Sequence, residues 1–146
     1  GAGRSRLSAG FVGCCGQGEL HEIGMRRVCD LLEIEGVDTW YLGANTPDGA
    51  VLSFLADKLA TEEGAPRPLV LGVSCTLAQG VPLVERLVGA VRGDAWVRQV
   101  KIMVGGLPFL RRADLWSRIG ADGQAGDAAE AARVFRTLAN LEGGGE

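Results

Sequence analysis

The side chains that build metal centres and nucleophilic sites are scarce in this sequence. It contains one histidine, His21, and its four cysteines form no CxxC pair. A zinc site made of protein alone needs more ligands at closer spacing, and a disulfide framework needs cysteines at paired positions. The pattern is typical of neither and favours buried, reduced cysteines in a cytoplasmic protein. The cysteines are Cys14, Cys15, Cys29 and Cys75.

An excess of positive charge and a long apolar run are also missing. The formal net charge is -3, with 23% charged residues, so we expect no direct contact with nucleic acid or with an anionic membrane surface. No apolar stretch reaches the length that spans a bilayer. The 146 residues have the length of one domain. We place that domain at residues 7–141, with a tag remnant or linker at 1–6 and a flexible tail at 142–146.

Short apolar runs alternate along the chain with longer stretches of helical periodicity. Strict alternation with continuously apolar strands indicates a parallel sheet covered on both sides. We therefore predict an α/β fold, a flavodoxin-like (Rossmann-like), doubly wound, five-stranded parallel sheet with helices on both faces. The predicted strands are 7–15, 37–43, 68–75, 100–106 and 121–125, and the predicted helices are 21–36, 48–64, 77–93, 108–120 and 127–142.

Ligands of such sheets bind outside the carboxyl ends of the strands, and the loop after the first strand holds the segment GELHEIG, residues 18–24. Gly16 and Gly18 suggest a dinucleotide-binding turn, but His21 takes the third position of that pattern, where helix packing needs a small residue. The loop lacks the hydroxyl run and the aromatic residue expected for FMN, and no acidic cluster follows the first strand to bind Mg²⁺. A nucleophile and base pair of Ser74 with His21 stays open, although no acid is placed to orient the ring.

The position of His21 favours an axial metal ligand. Glu19 is placed to accept a hydrogen bond from one ring nitrogen, as the partners of metal-bound histidines do, while the other nitrogen points outward. One histidine is too few for a metal held by protein alone. We therefore expect a metal that arrives in a macrocycle, either haem or a corrinoid.

Three separated elements follow one another in the sequence: ELHEIG at 19–24, SCT at 74–76 and a double glycine at 105–106. Together they resemble the Asp-x-His-x-x-Gly, Ser-x-Leu or Ser-x-Thr, and Gly-Gly pattern of the cobalamin-binding domain. That domain is shared by methionine synthase, corrinoid methyl carriers and cobalamin-dependent photoreceptor regulators. The resemblance covers nearly the whole chain, and Glu19 replaces the usual aspartate, a variant also found among the photoreceptor regulators.

The resemblance implies that His21 replaces the dimethylbenzimidazole of cobalamin as the lower ligand of cobalt. The corrinoid would then be bound base-off and histidine-on, with Glu19 as the hydrogen-bonding partner of the ring. Because a loop residue contributes little to the core, His21→Ala is expected to abolish this coordination and leave the fold intact.

The displaced nucleotide tail would run into a slot beside the sheet, which Gly105 and Gly106 keep open because they lack side chains. Gly106→Val is therefore expected to block the slot without disturbing the sheet. The hydroxyls of Ser74 and Thr76 would meet the tail or the histidine network. The full binding set implied is Glu19, Leu20, His21, Glu22, Ile23, Gly24, Ser74, Thr76, Leu77, Gly105 and Gly106.

The resemblance further implies a cofactor-binding module that performs no catalysis on its own. Its cofactor would be adenosylcobalamin or methylcobalamin, and a helical cap or a partner protein would cover the upper corrin face. The glutamate variant favours the sensory module of a regulatory protein that responds to light or to cobalamin. The alternatives are the corrinoid methyl-carrier domain of a methyltransferase system and a haem-binding sensor of the same fold.

Overall fold

The computed structural model describes residues 9–16, 23–60 and 66–141. Its five strands form one parallel sheet in the order β2-β1-β3-β4-β5. The strands are β1 Gly10–Cys15, β2 Asp38–Tyr41, β3 Leu69–Ser74, β4 Lys101–Gly105 and β5 Gly123–Ala125. The helices are α1 Ile23–Ile34, α2 Asp48–Leu59, α3 Val81–Arg92, α4 Leu107–Arg111, α5 Leu115–Arg118 and α6 Ala128–Leu138.

The strand order is that of the flavodoxin-like sheet, so the predicted fold class is confirmed. The predicted ends at 1–6 and 142–146 lie outside the described residues, and the domain boundaries stay a prediction. Among the helices of the described ranges, none combines the length and the apolar character needed to cross a bilayer.

Each face of the sheet buries its own core because successive strand residues point to opposite sides. In β1, Val12 packs into one core and Phe11 into the other. The first core lies under α2 and α3, and its larger members include Leu55, Leu71, Val88, Ile102 and Phe109. The second lies under α1 and α6, and its larger members include Leu32, Val70, Met103 and Phe135. The ring of Phe11 meets that of Phe135 edge to face at 6.1 Å between centroids.

The predicted helix at 108–120 is wrong, because two short helices, α4 and α5, occupy this region. Arg112 adopts an extended backbone (φ -131°, ψ 100°), which interrupts the helical hydrogen bonds after Arg111. Phe109 is fully buried before this break, and Leu115 packs against the same core after it. The chain therefore bends between them so that both side chains reach the sheet.

The other four helices are also shorter than predicted, and α3 and α2 show the local reasons. A single 3₁₀ turn, Ala78–Gly80, precedes α3, and Pro82 lies in the first turn of α3, where the missing N–H of a proline costs nothing. At the end of α2, Ala60 is already extended (φ -72°, ψ 141°), so the helix ends at Leu59 rather than at 64.

The fully buried Leu55 supplies the prediction for this core. Leu55→Ala leaves a cavity between α2 and the sheet and is expected to lower the free energy of unfolding by about 2–5 kcal/mol. Ile34 is 62% exposed on α1, so Ile34→Ala is expected to change it by less than about 1 kcal/mol. Urea unfolding of both variants measures the difference, and equal losses would contradict the core assignment.

Candidate functional site

A cavity of about 400 Å³ opens at the carboxyl edge of the sheet. The sheet forms its floor, and the first turns of α1 and α6 form its walls, on the side of the sheet that packs against these two helices. Residues that directly follow β3 and β4 reach its rim, namely Cys75 and Thr76 after β3 and Gly106 after β4. The cavity lies next to the point where the strand order reverses at β1, which is the usual ligand position in this kind of sheet.

The floor of the cavity contains two glycines at closely packed positions of the sheet. Gly72 in β3 lies under the ring of Phe11, and a Cβ added to Gly72 would lie 2.4 Å from Phe11 Cζ. Gly105 in β4 is two residues after Met103 and faces the same side, where all four residues line the cavity. Gly72 therefore makes room for the Phe11 ring, which itself forms part of the apolar floor.

Gly106 is required by the backbone rather than by the cavity. Its φ is +118°, and an added Cβ would lie 1.8 Å from the carbonyl oxygen of Cys75. Any side chain would force apart the turns that follow β3 and β4. The expectation that Gly106→Val blocks a slot without disturbing the sheet is therefore wrong, because the side chain would collide with the main chain first.

Gly24 has the opposite surroundings. It is the second residue of α1, it lines the cavity, and an added Cβ would meet no atom of a described residue within 4 Å. Within the part of the chain that the structure describes, a side chain at Gly24 therefore meets no obstacle.

A row of polar groups joins the carboxyl ends of three neighbouring strands. Ser74 Oγ, at the end of β3, donates a hydrogen bond to Cys15 Sγ over 3.3 Å. Cys15 Sγ in turn lies 3.5 Å from the hydroxyl of Tyr41, at the end of β2. Ser74 thus lines the cavity with a hydroxyl already engaged by a thiol, which fixes its orientation at the rim.

Two of the buried thiols are held in the protonated form. Burial, aided by the nearby Cys15 and Asp48, raises the pKa of Cys14 to about 12. Burial also raises the pKa of Cys29 to about 12, with Asp30 as the next cause. Since metals and electrophiles react with thiolates, neither side chain is suited to either role at neutral pH.

The predicted binding set divides into two parts. Glu19, Leu20, His21 and Glu22 lie outside the described residues. Ile23 begins α1. The cavity brings together Gly24, Ser74, Thr76, Gly105 and Gly106. Leu77 is beside the rim and is 55% exposed.

Sequence reasoning missed two charged residues of the walls, Arg27 on α1 and Asp127 at the start of α6. Arg27 follows Gly24 by three residues, which places both on one face of a helix, so the spacing could have found it. Asp127 and Glu130 have the spacing of a capping box, a signal for the start of α6.

Comparison with known proteins gives a consistent result. A sequence model of the B12 binding domain family matches residues 10–134. Monomethylamine corrinoid protein 1 of Methanosarcina mazei is 31% identical over 119 residues, which are 81% of this chain and 50% of that protein. The chain thus spans about half the length of the curated relatives it matches.

Two solved structures support the same fold. The monomethylamine corrinoid protein of Methanosarcina barkeri superposes with a TM-score of 0.76 at 26% identity, over 92% of this chain and 59% of the other. The methanol:cobalamin methyltransferase complex MtaBC of Methanosarcina barkeri superposes with a TM-score of 0.70 at 19% identity, over 96% of this chain and 50% of the other. At the second identity the likeness shows the fold alone.

The two cavity glycines give a matched test. Gly106→Ala is expected to lower the free energy of unfolding by about 3 kcal/mol or more, because it adds both a backbone collision and a strained φ. Gly24→Ala is expected to leave it unchanged or raise it by up to about 1 kcal/mol, since alanine favours a helix. Thermal or urea unfolding compares the two, and a stable Gly106→Ala would contradict the backbone role.

Proposed function

Because this chain belongs to the B12-binding domain family, we propose that it holds a cobalamin with the nucleotide tail in the cavity between the sheet, α1 and α6. We further propose that it acts as the methyl-carrier domain of a corrinoid-dependent methyltransferase system. The observation that carries the binding site is the cavity itself, which opens where β3 and β4 end.

The size and lining of the cavity suit the tail. About 400 Å³ is in the lower part of the roughly 300–1,000 Å³ range of small-molecule pockets, which fits a base with its sugar but leaves the wider macrocycle outside. Phe11 and Met103 in the floor supply apolar contact for a flat ring. The hydroxyls of the rim would meet the polar atoms of the sugar.

The macrocycle would then rest on the carboxyl edge of the sheet. Leu77 after β3 and Leu107 after β4 are exposed apolar side chains at this edge, and they would support the lower corrin face. His21 precedes Ile23, the first residue of α1, by two positions in the sequence, and α1 forms a cavity wall. A tail in the cavity would leave the lower cobalt position to this histidine, with Glu19 accepting a hydrogen bond from its other ring nitrogen.

The relatives favour a carrier over a sensor. The curated relatives are monomethylamine corrinoid proteins, and a structural neighbour at 26% identity is also a monomethylamine corrinoid protein. When bound, a corrinoid supplies a cobalt–carbon bond through which a methyl group passes from donor to acceptor. In this proposal the chain holds the lower face only, and a methyltransferase partner supplies the residues above it.

The cavity also supports a corrinoid over haem. Haem has no nucleotide tail that could fill a space beside the sheet, so the cavity would stay unused in a haem-binding sensor. A Soret band in the absorbance spectrum, recorded after the protein is incubated with haem, would nevertheless identify haem binding directly.

The lower ligand supplies the main test. The full-length protein loaded with methylcobalamin is expected to show the absorbance of a histidine-bound corrinoid, and His21→Ala is expected to show the base-off spectrum with weaker retention. Glu33→Ala, an exposed change on α1, is the control and should match the wild type. Identical spectra for the wild type and His21→Ala would overturn the coordination.

The carrier and sensor functions differ in their response to light. A carrier must dock the same partners with and without its methyl group, so its oligomeric state is expected to stay constant. Light scattering after gel filtration, on methylcobalamin-loaded protein kept in the dark or under green light, measures this. A light-dependent change in mass would favour the sensor instead.

A further inference from the structure

The walls of the cavity carry very little charge. Among the described residues that line it, Arg27 on α1 and Asp127 at the start of α6 are the only charged ones. The two walls therefore differ in sign, and a ligand with an ionic group would be drawn to one of them. The wall that such a group binds depends on how far the charges of Arg27 and Asp127 already interact with other groups of the protein.

The charge of Asp127 is already engaged. Its carboxylate accepts a hydrogen bond from the backbone N–H of Glu130 over 2.8 Å and so caps α6. Glu130 Oε1 in turn accepts from the backbone N–H of Gly126, the residue before the N-cap, which is a variant of the capping box. The two carboxylates together exceed the roughly half unit of positive charge at the start of α6. This wall therefore stays acidic and disfavours an anionic group.

Arg27 makes no ion pair with any described residue. It lies one helical turn after Gly24, on the same face of α1, and both residues line the cavity. The preceding residue, Arg26, has different surroundings. Arg26 does not line the cavity, and its guanidinium lies over the ring of Tyr41, 5.0 Å from the centroid.

We propose that Arg27 is a specificity-determining residue that binds the phosphodiester of the nucleotide tail and so selects complete cobalamins over corrinoids without a nucleotide. This inference rests on the proposed function, since it takes the tail to lie in the cavity. A guanidinium presents paired donors that match phosphate oxygens, and such charge-assisted hydrogen bonds are stronger than those between neutral groups.

The test compares two ligands with two neighbouring arginines. The dissociation constants of aquocobalamin and of cobinamide, which lacks the nucleotide, are measured by equilibrium dialysis for the wild type, Arg27→Gln and Arg26→Gln. Arg27→Gln is expected to weaken aquocobalamin about three- to tenfold, the size of a partly exposed charge-assisted pair, without weakening cobinamide. Arg26→Gln is expected to change either constant by less than about twofold.

The salt dependence provides a second readout. Raising the ionic strength screens an exposed ion pair, so wild-type affinity for aquocobalamin is expected to fall more steeply with salt than that of Arg27→Gln. Arg27→Lys should recover part of the affinity, because it keeps the charge but loses the paired donors. Since Arg27 is exposed, all variants should unfold at the wild-type temperature.

The outcomes separate this inference from the proposed function. If wild-type protein binds aquocobalamin and Arg27→Gln binds it equally well, or loses both ligands equally, the role of Arg27 is overturned and the cobalamin site stands. If the wild type binds neither corrinoid, the proposed function fails, and the role of Arg27 fails with it.

Discussion

The close approach of the β4–α4 turn to the backbone after β3 is the constraint on which the site depends. Cys75 donates its backbone N–H to the carbonyl of Gly105 over 2.9 Å, and Gly106 then passes so near the carbonyl of Cys75 that no Cβ fits. The two rims of the cavity are thereby held together. Ser74 and Leu107 directly flank this contact in the sequence, one before Cys75 and the other after Gly106.

The two faces of the sheet have different tasks. The face under α2 and α3 carries a core built largely of valines and leucines. The face under α1 and α6 contains Gly72 and Gly105 and has the cavity beside its core. A ligand that fills this space would add contacts to that face, so binding and stability are coupled in this architecture.

The fold could be predicted from the sequence because the hydrophobic periodicity and the length of each segment can be read locally along the chain. The apolar runs at 68–75 and 100–106 lie around β3 and β4, and their alternation with helices predicted the parallel sheet. The break at Arg112 did not follow, because it depends on how Phe109 and Leu115 both reach the core. The reason for Gly106 was also hidden, since a double glycine in sequence does not reveal which neighbour approaches it. The helical spacing from Gly24 could have identified Arg27. Its position in the cavity wall, however, depends on how α1 packs beside α6.

The two edge strands are the shortest strands of the sheet: β2 has four residues and β5 has three. A short edge offers few unpaired backbone groups to another chain, and this discourages edge-to-edge association. If the domain is a carrier as proposed, this property would leave its partners to bind at the carboxyl edge of the sheet, where the cavity opens. The two sides of the sheet would then contribute little to association.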